Sequence, residues 1–110
     1  MDEMNREILE HMLKEIDFAI KEADGLTEAD FMGDDSAQHA IVMALLNIGE
    51  LANSLGFDFY TAHAQIPWRK IIDMRNAAAH GYFALKLPLI WQTVRVDLPE
   101  LREALRAILG

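Results

Sequence analysis

The stretch RNAAAHGYF, residues 75 to 83, holds the residue types in this chain best suited to phosphate and proton chemistry. Arginine offers a planar, permanently charged fork that matches a phosphate or a pentavalent phosphorane. Histidine changes charge near neutrality and exchanges protons readily. In a regular helix Arg75 and His80 lie about 140° apart around the axis and about 7.5 Å apart along it, so they do not share a face. The reach of the arginine stem, and loosening of the last turn before Gly81, would let them meet. Asn76, four residues before His80, does share its face. His80 falls at the negative end of the helix dipole, a suitable place for a group that carries protons. Spacing alone leaves a second reading open, in which His80 closes a helix end and Arg75 forms a surface ion pair.

Charge sets bounds on what such a pair could act upon. The 110 residues carry a formal charge of -8, which argues against a general nucleic-acid binder, since phosphate contacts dominate that affinity. The charge is uneven, however. Residues 61 to 86 hold Arg69, Lys70, Arg75 and Lys86 against Asp73 alone, a local +3 that leaves -11 elsewhere. This basic island suits contact with a few phosphates, with Arg69, Lys70 and Lys86 as candidate substrate-binding residues beside Arg75. There is no cysteine, which excludes disulfides and thiolate metal sites. His11, His39 and His63 lack metal-ligand spacing and read as surface or packing residues, so no metal or other cofactor is expected. Trp68 and Trp91 read as core or interface aromatics. The opening MDEMNREILEHML has acids and no continuous apolar core, and AIVMALLNIGELA is about half a membrane span. The expectation is a cytoplasmic protein with no membrane segment.

The elements that must position the pair are helical nearly throughout. Met4, Ile8, Met12, Ile16 and Ile20 recur every four residues, widened by Leu9, Leu13 and Ala23, and Gly25 ends that helix. A turn is expected at LTEADFM, where Thr27 and Asp30 form a weak capping pair. DDSAQHAIVMALLNIGELANSL predicts a buried helix closed by Gly56. Within it Glu50 is either exposed or a buried acceptor that holds the motif helix, and Asn47 and Asn53, polar at helical spacing on that side, favour the second as the expectation. FDFYTAHAQI reads as a loop, and Pro67 as the first residue of the helix PWRKIIDMRNAAAH. In the last segment Pro99 should bend or split the helix, with Asp97 as a new cap. No segment alternates like a strand. The expectation is a single all-α domain over 1–110, an up-and-down bundle of four to five helices.

IPWRKIIDMRNAAAHGYF, with NIGELANSL before it and IWQTVRVDLPELREAL after it, resembles the HepT-like branch of the HEPN superfamily across nearly the whole chain. The shared features are a Pro-Trp pair, a Met-Arg-Asn, a His-x-Tyr, a Gly-Glu pair in the preceding helix and a Leu-Pro-x-Leu in the last one. The R-x4-H-x-Y motif is complete as Arg75, His80 and Tyr82. The resemblance implies a HEPN-like helical fold and a homodimer whose motif helices face each other across a cleft. It implies metal-independent cleavage of RNA by a toxin whose antitoxin partner is a minimal nucleotidyltransferase. Arg75 and His80 would be the catalytic pair, Asn76 would shape the site, and Tyr82 would be the tyrosine the partner adenylylates. A catalytically silent module that only binds the nucleotidyltransferase or a nucleotide is the alternative, supported by the acidic body.

Overall fold

The computed structural model describes residues 1–80 and 86–110. Among them the chain forms α1 (Glu3–Ala23), α2 (Glu28–Met32), α3 (Asp35–Asn53), α4 (Phe57–Ala62), α5 (Trp68–Ala79), α6 (Leu87–Gln92), a π-helical turn (Thr93–Asp97) and α7 (Leu98–Leu109), with no strand. The expected all-α fold is the observed one. The four long rods are α1, α3, α5 and the run from α6 through α7. Helix α3 is central, packed by α1 and by α5, and α7 lies against α1.

Side chains close the helix starts as their sequences require. The Asp2 carboxylate accepts from the Asn5 N–H at 2.7 Å, and that of Asp34 from the Ala37 N–H at 2.9 Å. Thr27 and Asp30 form a reciprocal capping box, and it opens a short helix, α2, where the sequence suggests only a turn. Similarly, the expected loop FDFYTAHAQI begins with α4, held to α3 by the Tyr60 hydroxyl, which donates to the Ala52 carbonyl at 2.7 Å. Gly25 and Gly56 adopt positive φ, as expected of helix-ending glycines.

Three expectations need correction. The buried stripe of α1 is Leu9, Met12, Ile16, Ala19 and Ala23, while Met4 is 71% exposed. A repeat of every fourth residue precesses by about 40° per step, so Met4 and Ile20 cannot both face one neighbour. Pro67 precedes α5 rather than opening it. Asp97 does not cap a new helix: its backbone is helical and its side chain makes no cap bond. Instead, the Leu98 N–H reaches the Thr93 carbonyl in a widened turn. Proline lacks an N–H, and its ring presses on the carbonyl four residues back, here that of Arg95. The π turn makes room there, so the rod continues through Pro99.

Both tryptophans pack into or against the core. Trp68 is buried and its Nε1–H donates to the His63 carbonyl at 3.0 Å. Trp91 is half-buried against Phe31, ring centroids 5.3 Å apart, and the Arg95 guanidinium carbon stands over its ring, 5.5 Å from the centroid. Among the described residues no helix is long and apolar enough to cross a membrane.

Candidate active site

The site is set by how closely α3 and α5 approach. Gly49 is buried at their crossing, and a Cβ added there would collide with the Cβ of Arg75 and stand 3.1 Å from the Ile71 carbonyl oxygen. Only glycine permits this approach without a shift of backbone. Arg75 is therefore rooted against α3, and Glu50, the next residue of α3, receives its Nε–H in a charge-assisted hydrogen bond. The Arg75 Nη1–H donates to Asn76 Oδ1 at 2.9 Å. Among the described residues Nη2 makes no hydrogen bond.

His80 is the residue that closes α5, and its Nδ1 lies 2.8 Å from the Asn76 carbonyl oxygen. A carbonyl only accepts, so Nδ1 carries the hydrogen of that bond. In the neutral ring Nε2 then holds the lone pair that can take a proton. Asn76 thus joins the two candidate catalytic residues, its side chain to Arg75 and its backbone to His80. The helical-wheel separation of Arg75 and His80 is bridged by the residue that the sequence places beside both.

Glu50 meets the expectation in one respect and departs from it in another. It does hold the motif helix, through Arg75, but its side chain is 45% exposed rather than buried. Asn53 is exposed, and Asn47 lines a shallow polar depression of about 370 Å3 with His11, Lys14, Glu15, Glu50 and Leu51. The sequence pattern assigns Gly49 no physical task. Its task depends on the distance between two helices, which no local pattern encodes.

The remaining basic residues of the island do not converge on Arg75. Lys70 lies 3.7 Å from Asp97 on the rim of a largely apolar groove of about 360 Å3, floored by Leu45, Ile48, Ile71 and Leu101. Lys86 lines a different depression with Met32, Pro88 and Gln92, and Arg69 is exposed near the start of α5. Neither hollow includes Arg75, Asn76 or His80. Asn76 and His80 are both exposed and Arg75 is half-buried, whereas the largely apolar groove carries Lys70, Asp97 and Glu100 among its lining residues and no histidine or arginine. Tyr82 and Gly81 lie outside the described residues. Among the described residues no three His, Asp or Glu side chains are grouped to hold a metal ion.

Comparison with known proteins identifies the family. The chain matches the family model described as ribonuclease HepT-like over residues 6–108. It is 36% identical to a provisionally named RNase of Caldanaerobacter subterraneus subsp. tengcongensis, covering 94% of this chain and 93% of that one. It is 34% identical to a provisionally named ribonuclease HepT of Thermococcus cleftensis, covering 87% and 78%. A longer protein of Methanocaldococcus jannaschii, named as a gamma-glutamylcyclotransferase and provisionally as an RNase, is 31% identical over 92% of this chain and 46% of its own length. No solved structure matches the chain. With the motif helix packed through Gly49, Arg75 and His80 joined by Asn76, and a family match spanning nearly every residue, the chain belongs to the ribonuclease HepT-like family.

Proposed function

We propose that the chain is a metal-independent RNA endonuclease, the toxin of a toxin–antitoxin pair, acting as a homodimer and silenced by adenylylation of Tyr82. The observation that supports this best is the Asn76 bridge, which ties a phosphate-binding side chain to a proton-carrying one. Cleavage needs the 2'-hydroxyl deprotonated, the phosphorane stabilised and the leaving 5'-oxygen protonated. With Nδ1–H held by Asn76, Nε2 of His80 takes the 2'-hydroxyl proton. The 2'-oxygen bonds to phosphorus, the bond from phosphorus to the 5'-oxygen breaks, and the 5'-oxygen receives a proton from a second histidine. Arg75 neutralises the charge that gathers on the phosphorane, with no metal required.

One copy supplies a single His80, and one histidine does not readily serve as base and acid in the same step. A two-fold homodimer supplies a second His80 and a second Arg75 around one phosphate, in a cleft between copies. Asn76 and His80 are exposed in the single chain, which suits a site shared with a second copy. The nucleotidyltransferase antitoxin would transfer AMP from ATP to the Tyr82 oxygen, with pyrophosphate leaving. Bulk and negative charge would then stand two residues from His80, where the RNA phosphate must sit.

The net charge of -8 favours a second reading, a silent module that binds the nucleotidyltransferase or a nucleotide. One experiment separates them: cleavage of a structured RNA by the purified protein in EDTA, beside its His80→Ala variant. Cleavage by the parent alone supports the nuclease. Absence of cleavage by both leaves the binding module.

A further inference from the structure

We propose that Glu50 is a positioning residue for Arg75, fixing the direction in which the guanidinium presents its outer N–H groups to a phosphate. The proposal deepens the nuclease reading and rests on it for its kinetic consequences. Three observations carry it. First, Gly49 brings the root of Arg75, its Cβ and Cγ, close against the α3 backbone, and Glu50 comes next in the chain. Second, two acceptors from two helices define the guanidinium plane: Glu50 of α3 takes the Nε–H and Asn76 of α5 takes an Nη1–H. A long, rotamer-rich side chain is thereby oriented before substrate arrives, which is how preorganised charge is kept effective.

Third, the pair is placed where it adds little to folding. The Arg75 and Glu50 side chains are 31% and 45% exposed, and ion pairs in that setting are weak contributors to stability. The other neighbours of Glu50 around its depression are mostly polar, so apolar packing does not account for its place. A carboxylate beside an anion-binding arginine also repels the anion. Its net use must come from orientation in the transition state, at some expense of ground-state affinity for RNA.

That sign gives the test a distinctive form. In Glu50→Ala, kcat for RNA cleavage should fall roughly 10- to 100-fold, as expected for a misplaced catalytic group, while KM stays level or falls. Glu50→Gln keeps an acceptor oxygen without the charge and should retain more of kcat than Glu50→Ala. The thermal midpoint of both variants should stay close to that of the parent. A parent-like kcat in Glu50→Ala, or a raised KM with kcat unchanged, would overturn the proposal. An independent readout needs no cleavage: the Arg75 Nε–H NMR resonance, assigned by its absence in Arg75→Lys, should exchange slowly with water in the parent and fast in Glu50→Ala. Equal exchange in the two proteins refutes the positioning role. A parent that does not cleave RNA refutes the nuclease reading alone, and the exchange measurement then decides on Glu50.

Discussion

The two ends of α3 use polar residues in opposite ways. Near its start Gln38 is 6% exposed, and its Nε2 donates to the carbonyls of Phe31 at 2.9 Å and Met32 at 3.1 Å. Those carbonyls belong to the end of α2; the Phe31 carbonyl also receives the Asp34 N–H at 3.2 Å, and the buried amide adds a second donor there and one for Met32. Near its other end Glu50 is half-exposed, and its partner is the Arg75 side chain rather than backbone. Burial with backbone partners marks a residue that serves the fold. Exposure with a charged side-chain partner at the motif marks one that serves the chemistry. Stability and activity should therefore respond to different substitutions within one helix.

The largest structural effect is expected beside Gln38. Phe31 is fully buried against Trp91, so Phe31→Ala should cost about 3–5 kcal/mol in denaturant unfolding while each folded molecule keeps its cleavage rate. Loss of cleavage without loss of stability would break the division between the two regions. Next, Gln38→Ala leaves two carbonyls without their buried donor and should cost about 1–3 kcal/mol, again with cleavage intact. Glu50→Ala is expected to show the reverse pattern, and the two variants measured together sharpen the contrast. The smallest effect is expected at Lys70, whose contact with Asp97 is long and solvent-exposed. Lys70→Ala should change unfolding by less than about 0.5 kcal/mol. A cleavage loss there that vanishes at high salt would show that RNA reaches the apolar-groove side of α5.

Much of the helical layout is legible in the sequence because apolar spacing, Asp2, Asp34, the Thr27–Asp30 box and Gly25 each act over a few residues. What escapes a sequence reading is non-local. Helices α2 and α4 are too short to show a period, and they are tied down by Gln38 and by the Ala52 carbonyl, both elsewhere in the chain. The π turn before Pro99 is a compromise between a missing N–H and continued packing of the rod, and sequence offers splitting as an equal solution. At the candidate site, Arg75, Asn76 and His80 can be named from residue type and family resemblance. The reason for Gly49 cannot, because a contact between Gly49 and Arg75 exists only once α3 and α5 have packed. The polarity of Glu50 points to the helix of Arg75 but not to its degree of exposure, since a polar residue in an apolar helix can lie at the margin of the stripe.

The central claim is that two copies of His80 act on one phosphate. It is tested most directly by mixing parent protein with increasing fractions of the His80→Ala variant, allowing subunits to re-equilibrate, and measuring RNA cleavage in EDTA. The account predicts activity that falls as the square of the parent fraction, because only dimers with both histidines work. A linear fall would show that each His80 acts alone, and would contradict the shared cleft.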